Sequence, residues 1–84
     1  MANIQEKVKK ALLKTFSENE LRLEAVEDDK VMGFIVSNKF SNLDDETRQD
    51  MIWELLGKYL NLQELTRIII LITLTQEEEM AYSS

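Results

Sequence analysis

The spacing of hydrophobic residues changes period several times along the chain, and each change marks an element. Ile4, Val8, Ala11, Leu12 and Phe16 recur at helical spacing, which predicts an amphipathic helix over about residues 3–16. The polar run Ser17-Glu18-Asn19-Glu20 ends it. Leu21, Leu23 and Ala25 then alternate with Arg22 and Glu24, the period-two pattern of a strand with one dry face. Glu27-Asp28-Asp29-Lys30 is a polar turn between apolar runs and predicts a hairpin. The second strand, residues 31–37, is apolar on both sides: Met32, Phe34 and Val36 on one, Val31, Gly33 and Ile35 on the other. Gly33 marks a bulge, a close approach of another backbone, or a tolerated weak point. Residues 38–42 read as loop.

The strongest helical periodicity comes next, over residues 43–60, where Met51, Ile52, Leu55, Leu56, Tyr59 and Leu60 form one broad stripe. Ser41 with Asp44 three residues on is a capping-box pattern, and Asp44, Asp45 and Glu46 suit the positive end of the helix dipole. Arg48 projects close to the stripe and Trp53 falls just outside it. After a connector at residues 61–65 comes TRIIILITLT, residues 66–75, mostly branched at Cβ and without glycine or proline. So short a β-branched run favours strand over helix. It lacks polar alternation, which predicts an interior strand covered on both faces. Thr75-Gln76-Glu77-Glu78 is a second capping-box pattern and opens a short acidic helix to about residue 82.

The order is α-β-β-α-β-α in one α+β domain over residues 1–84. The second strand, long helix and third strand form a crossover, which implies a three-stranded mixed sheet with helices 1 and 2 packed on one face. The other face also carries Ile or Leu. The C-terminal helix is expected to cover part of it, and a second copy the rest, so a homodimer is expected.

Composition narrows the chemistry. With no cysteine and no histidine among 84 residues, disulfides, structural zinc and any Cys- or His-ligated iron site are excluded. Asp28-Asp29 and Asp44-Asp45-Glu46 lack EF-hand spacing. As adjacent acids at a turn and a helix start they read as solvated charges rather than a general acid/base pair. No histidine is present to activate a Ser or Thr, and two glycines build no phosphate-cradling loop. A non-enzymatic protein without cofactor is therefore expected. MANIQEKVKK has no apolar segment of signal type and no stretch reaches membrane-spanning length, so a cytoplasmic location is expected. A net charge of −6 argues against a bulk polyanion as partner, although Lys7, Lys10 and Lys14 on helix 1 form a candidate basic patch.

The run Ile35-Val36-Ser37-Asn38-Lys39-Phe40, followed by Arg48, Met51, Ile52, Leu55 and Leu56, resembles the BolA-like family. That family's pattern is V-S-x-x-F, an arginine eight positions after the phenylalanine, then hydrophobics at helical spacing. Leu74-Thr75-Gln76-Glu77-Glu78 looks like the family's last strand and its T-P-E-E type exit, and the resemblance covers about residues 21–79. It implies the same α-β-β-α-β-α fold, which is similar to the type II KH domain. The departures are informative. The family's histidine after that arginine is Gln49 here, and its other histidine, associated with sharing an iron–sulfur cluster with a monothiol glutaredoxin, falls near Thr66 or Arg67. Gln is a poor ligand to iron and a guanidinium none. Another cluster-linked residue of relatives lies in the loop between the first two strands, here the short turn at residues 27–30. A glutaredoxin partner is accordingly not expected.

The residues for a protein partner are Trp53, with Gln49 and Gly57 one turn to either side, Arg48, and Arg67. Trp53 either anchors a partner or laps over the sheet edge or under the C-terminal segment. Arg48 pairs with a partner carboxylate, or caps the sheet locally against Asp44, Asp45 or a backbone carbonyl. The reading is a BolA-like adaptor or regulator. The alternative is a single-stranded nucleic-acid-binding protein of KH type, which lacks the G-x-x-G loop and rests on the lysines of helix 1 and Lys39.

Overall fold

The computed structural model describes residues 3–27 and 29–83. Asp28, part of the predicted turn and of one acidic pair, lies outside the described residues, as do Met1 and Ala2 of the N-terminal stretch. The elements are α1 (Ile4–Leu12), β1 (Leu21–Val26), β2 (Lys30–Val36), α2 (Asp45–Tyr59), α3 (Leu62–Leu65), β3 (Ile68–Leu74) and α4 (Gln76–Ser83), with short 3₁₀ turns at Glu18–Glu20 and Asn38–Phe40. β1 runs antiparallel to β2, and β2 parallel to β3, in the order β1-β2-β3. This is the mixed three-stranded sheet that the crossover implied.

α1 and α2 lie on one face of this sheet. Val8 and Leu12 from α1, Ile52 and Leu56 from α2, and Val31 and Ile35 from β2 are completely buried between them. α1 stops sooner than its hydrophobic pattern. The Leu13 amide donates back to the carbonyls of Lys9 and Ala11, and the next turn carries Phe16 into the core against Phe40, ring centroids 5.5 Å apart. α2 is capped by Asp44 rather than Ser41: the Asp44 carboxylate accepts from the Thr47 amide at 2.8 Å. The connector at 61–65 is itself a turn of helix, α3, boxed by Asn61 and Glu64.

Two backbone features hold the β1–β2 hairpin in place. Asp29 in its turn has φ 56°, a left-handed conformation that Asp tolerates, and its carboxylate accepts from the Ile4 amide at 3.1 Å. At Gly33, a Cβ would lie 2.2 Å from the Arg22 carbonyl oxygen. Close approach of the β1 backbone is thus the reason for this glycine.

The third strand corrects the expectation of an interior strand. β2 is the central strand and β3 lies at the edge of the sheet. Ile68, Leu71 and Thr73 of β3 are buried on the helical side, but Ile69 is 53 % and Ile70 45 % exposed on the other. The register shifts here, with Val31 opposite Ile68 and Met32 opposite Ile70, so that Ile69 is the extra residue of a bulge. β-Branching selects strand over helix, yet it is silent on how many neighbours that strand has. The crossover through α2 returns the chain beside β2, and among the described residues nothing pairs on its far side.

Candidate functional site

Arg48 and Gln49 lie in the first half of α2 and reach the edge of β3, and Trp53 stands one turn after Gln49 on the same helix. The Ser37 amide donates to the Leu74 carbonyl across the β2–β3 pair at 2.8 Å. Carbonyls alternate along a strand, so those of Thr73 and Leu71 point away from β2, into the unpaired edge. α2 supplies their donors. Gln49 Nε2 donates to the Leu71 carbonyl at 2.9 Å, and Arg48 Nη1 to that of Thr73 at 3.3 Å. Two carbonyls of the edge are thus occupied by side chains, which blunts an otherwise open template for strand addition.

Arg48 is buried, not displayed. Its Nε donates to the Leu43 carbonyl at 2.9 Å, its guanidinium forks onto Glu78 at 2.6 and 3.2 Å, and its Cζ stands 5.8 Å from the centre of the Phe40 ring. The local-cap alternative therefore holds for the carbonyls, while the carboxylate is Glu78 of α4 rather than Asp44 or Asp45. The same Glu78 completes the predicted box with Thr75: its amide donates to Thr75 Oγ1 at 3.1 Å, and its carboxylate accepts from the Thr75 amide at 2.8 Å. Hydrogen bonds from Arg48 first, and from the Thr75 amide next, hold the Glu78 carboxyl at about 2, well under its ordinary 4.5.

Trp53 remains at the surface, 36 % exposed. Its indole Nε1 donates to Gln49 Oε1 at 3.1 Å, and Gln49 is itself held by Leu71. One side chain thus orients the indole and ties it to the strand edge. Its polar group is satisfied internally, which leaves an apolar ring face for contact.

Arg67 lies at the opposite end of β3. Its Nη1 donates to Asp29 Oδ2 at 2.9 Å, and Thr66 Oγ1 donates to the Gln63 carbonyl at 2.6 Å. These are the places where the resemblance puts cluster-linked groups, the start of the last strand and the β1–β2 turn. A guanidinium with no lone pair, engaged by the turn's own carboxylate, does not fit an iron–sulfur cluster.

Lys7 and Lys10 of α1 and Lys14 of the turn that follows it line a shallow groove of ≈ 300 Å³ with Ala11, Tyr59 and Glu64. Lys7 is ion-paired with Glu64, which lowers the Glu64 pKa, and Lys14 Nζ lies 5.8 Å from the centre of the half-exposed Tyr59 ring. Lys39 lies elsewhere and bonds the Thr15 carbonyl. Sequence reasoning missed Glu78 as the partner of Arg48, Asp29 as that of Arg67, and Tyr59 as a groove wall. The Thr75-x-x-Glu78 box located Glu78 at a helix start, but no local signal joins it to an arginine 30 residues away.

Among the described residues no cluster of acidic side chains has the geometry to hold a metal ion, and no helix is long and apolar enough to cross a membrane. No protein-family model and no curated protein sequence matches the chain. The structure is similar to that of BolA1 from Arabidopsis thaliana, with a TM-score of 0.63 over 89 % of this chain and 92 % of that one, at 22 % sequence identity. The element order, the mixed sheet and this likeness together establish that the chain has a BolA-like α+β fold.

Proposed function

We propose that this chain is a non-enzymatic interaction module, a BolA-like adaptor or regulator that docks one protein partner at the seam of α2 and β3. The observation that carries the reading is the exposed Trp53 indole, fixed through Gln49 to the Leu71 carbonyl. A tryptophan whose orientation is set beforehand loses little freedom on binding, and such residues dominate interface energetics. Arg48 and Gln49 are positioning residues in this reading, whereas Arg67 is committed to Asp29 and lies at the other end of the strand. Trp53 is the chain's one tryptophan, so its fluorescence reports the contact directly. A partner captured with the native chain should shift that emission when titrated, and Trp53→Ala should weaken binding by about tenfold or more. Equal affinity for the Trp53→Ala variant would overturn the reading.

The Arg67–Asp29 pair supports a role without cluster sharing. A cluster-loaded monothiol glutaredoxin mixed with this protein should form no coloured heterocomplex; its appearance would refute this part. A second reading, single-stranded nucleic acid, draws on the Tyr59 groove, where lysines flank an aromatic ring on which a base can stack. A salt-dependent gel shift lost in Tyr59→Ala would favour it over the first.

A further inference from the structure

The sheet has a second face, opposite α1 and α2, which α4 covers only in part. Arg22 of β1 forks onto Glu79 at 2.6 and 2.9 Å, and the Tyr82 ring meets Phe34 of β2 edge-on at 6.3 Å between centroids. α4 therefore crosses from the end of β3 towards β1. Towards the hairpin turn the face stays open. Its floor is Met32 beside Ile70 and Phe34 beside Ile72, paired in register, with Ile69 turned outward by the bulge. A regular strand would show one isoleucine between buried Ile68 and Leu71; the bulge shows two. Tyr82 at 70 % exposure and Met80 at 74 % add apolar surface from α4. Ile69 and Ile70 are exposed as well, and clustered apolar exposure on soluble monomers often marks a contact surface.

The rim indicates what covers this face. Glu24 stands directly opposite Met32, and Lys30 lies one pleat further along β2, opposite Val26. Both are exposed, and neither forms an ion pair among the described residues. One unpaired carboxylate and one unpaired ammonium beside an apolar floor make a surface complementary to itself under a two-fold rotation. Strand addition at the β3 edge is disfavoured, because Arg48 and Gln49 already occupy the carbonyls of Thr73 and Leu71. The apolar floor and its charged rim favour packing face to face instead.

We propose that the open sheet face is a homodimer interface, in which two copies pack Met32, Ile69, Ile70 and Ile72 together about a two-fold axis and Lys30 of each copy meets Glu24 of the other. A standard interface buries roughly 800 Å² per partner, which this contact needs the rim as well as the floor to reach. The contact is on the side of the sheet away from Trp53, so the dimer and the proposed partner site are separable.

Sedimentation velocity of the full chain from about 1 μM to about 1 mM tests the proposal. A reversible monomer–dimer equilibrium is expected. Ile70→Asp, an exchange at an exposed position, should weaken it by about 100-fold with an unchanged circular dichroism spectrum. Lys30→Glu should weaken it by about tenfold, and Glu24→Lys added to Lys30→Glu should restore it. Trp53→Ala should leave it unchanged. A monomer across the whole range, a dimer indifferent to Ile70→Asp, or failure of the double exchange to rescue would each overturn the proposal.

Discussion

The two glycines show how far apart identical residues can stand in one fold. At Gly33 an added methyl would sit 2.2 Å from the Arg22 carbonyl oxygen and 2.9 Å from the Leu23 Cα, both backbone atoms of the strand paired with it. Gly33→Ala must displace β1, and it should destabilise the protein by roughly 2 kcal/mol. At Gly57, on the exposed side of α2, nothing lies within 4 Å, and Gly57→Ala should add about 1 kcal/mol from helix propensity. Urea denaturation of the two variants checks both signs; a shift in the same direction would contradict this account. The sequence left three meanings open at Gly33, because a glycine's neighbours across a sheet are set by register. Its departure at Gln49, by contrast, was legible at once. Only the structure assigned that side chain its work, holding Trp53 with one end and Leu71 with the other.

α4 is the element most dependent on charge. It is pinned from α2 by Arg48–Glu78 and from β1 by Arg22–Glu79, and the carboxyl pKa of each glutamate is lowered by its arginine. Glu78 falls from 4.5 to about 2 in the folded chain. Since the folded value is the lower, its contribution is complete above 4.5 and is lost as pH falls from there towards 2. α4 should therefore loosen over that interval before the helix-covered core does. Hydrogen exchange should show early loss of protection at 76–83 in native protein, a smaller pH dependence there in Glu78→Gln, and little once Glu79→Gln is added. Protection in α4 that is equal at pH 6 and at the acid end would exclude the clasp. The capping box that begins α4 was readable, since it spans four consecutive residues; the clasp was not, since its arginines come from two other elements.

At the scale of the molecule, the decisive feature is that β3 is an edge strand whose outer carbonyls are covered by α2. Gln49→Ala frees the Leu71 carbonyl and the Trp53 indole N–H together. It should cost about 1 kcal/mol, and light scattering at high concentration should show assembly beyond any dimer as the edge is unsealed. Unchanged scattering would mean the seal is not what keeps the edge from pairing. By itself the sequence determined which elements form and in what order, because helical and strand periods, caps and turns are written in residues a few positions apart. It also determined which ligand chemistry is missing, since that depends on composition alone. Tertiary structure decided that β2 rather than β3 is central, that Glu78 answers Arg48 and Asp29 answers Arg67, and that two successive isoleucines face outward. Those outcomes depend on register and on contacts between distant segments, where many pairings satisfy the same local pattern and the packing of the whole selects one.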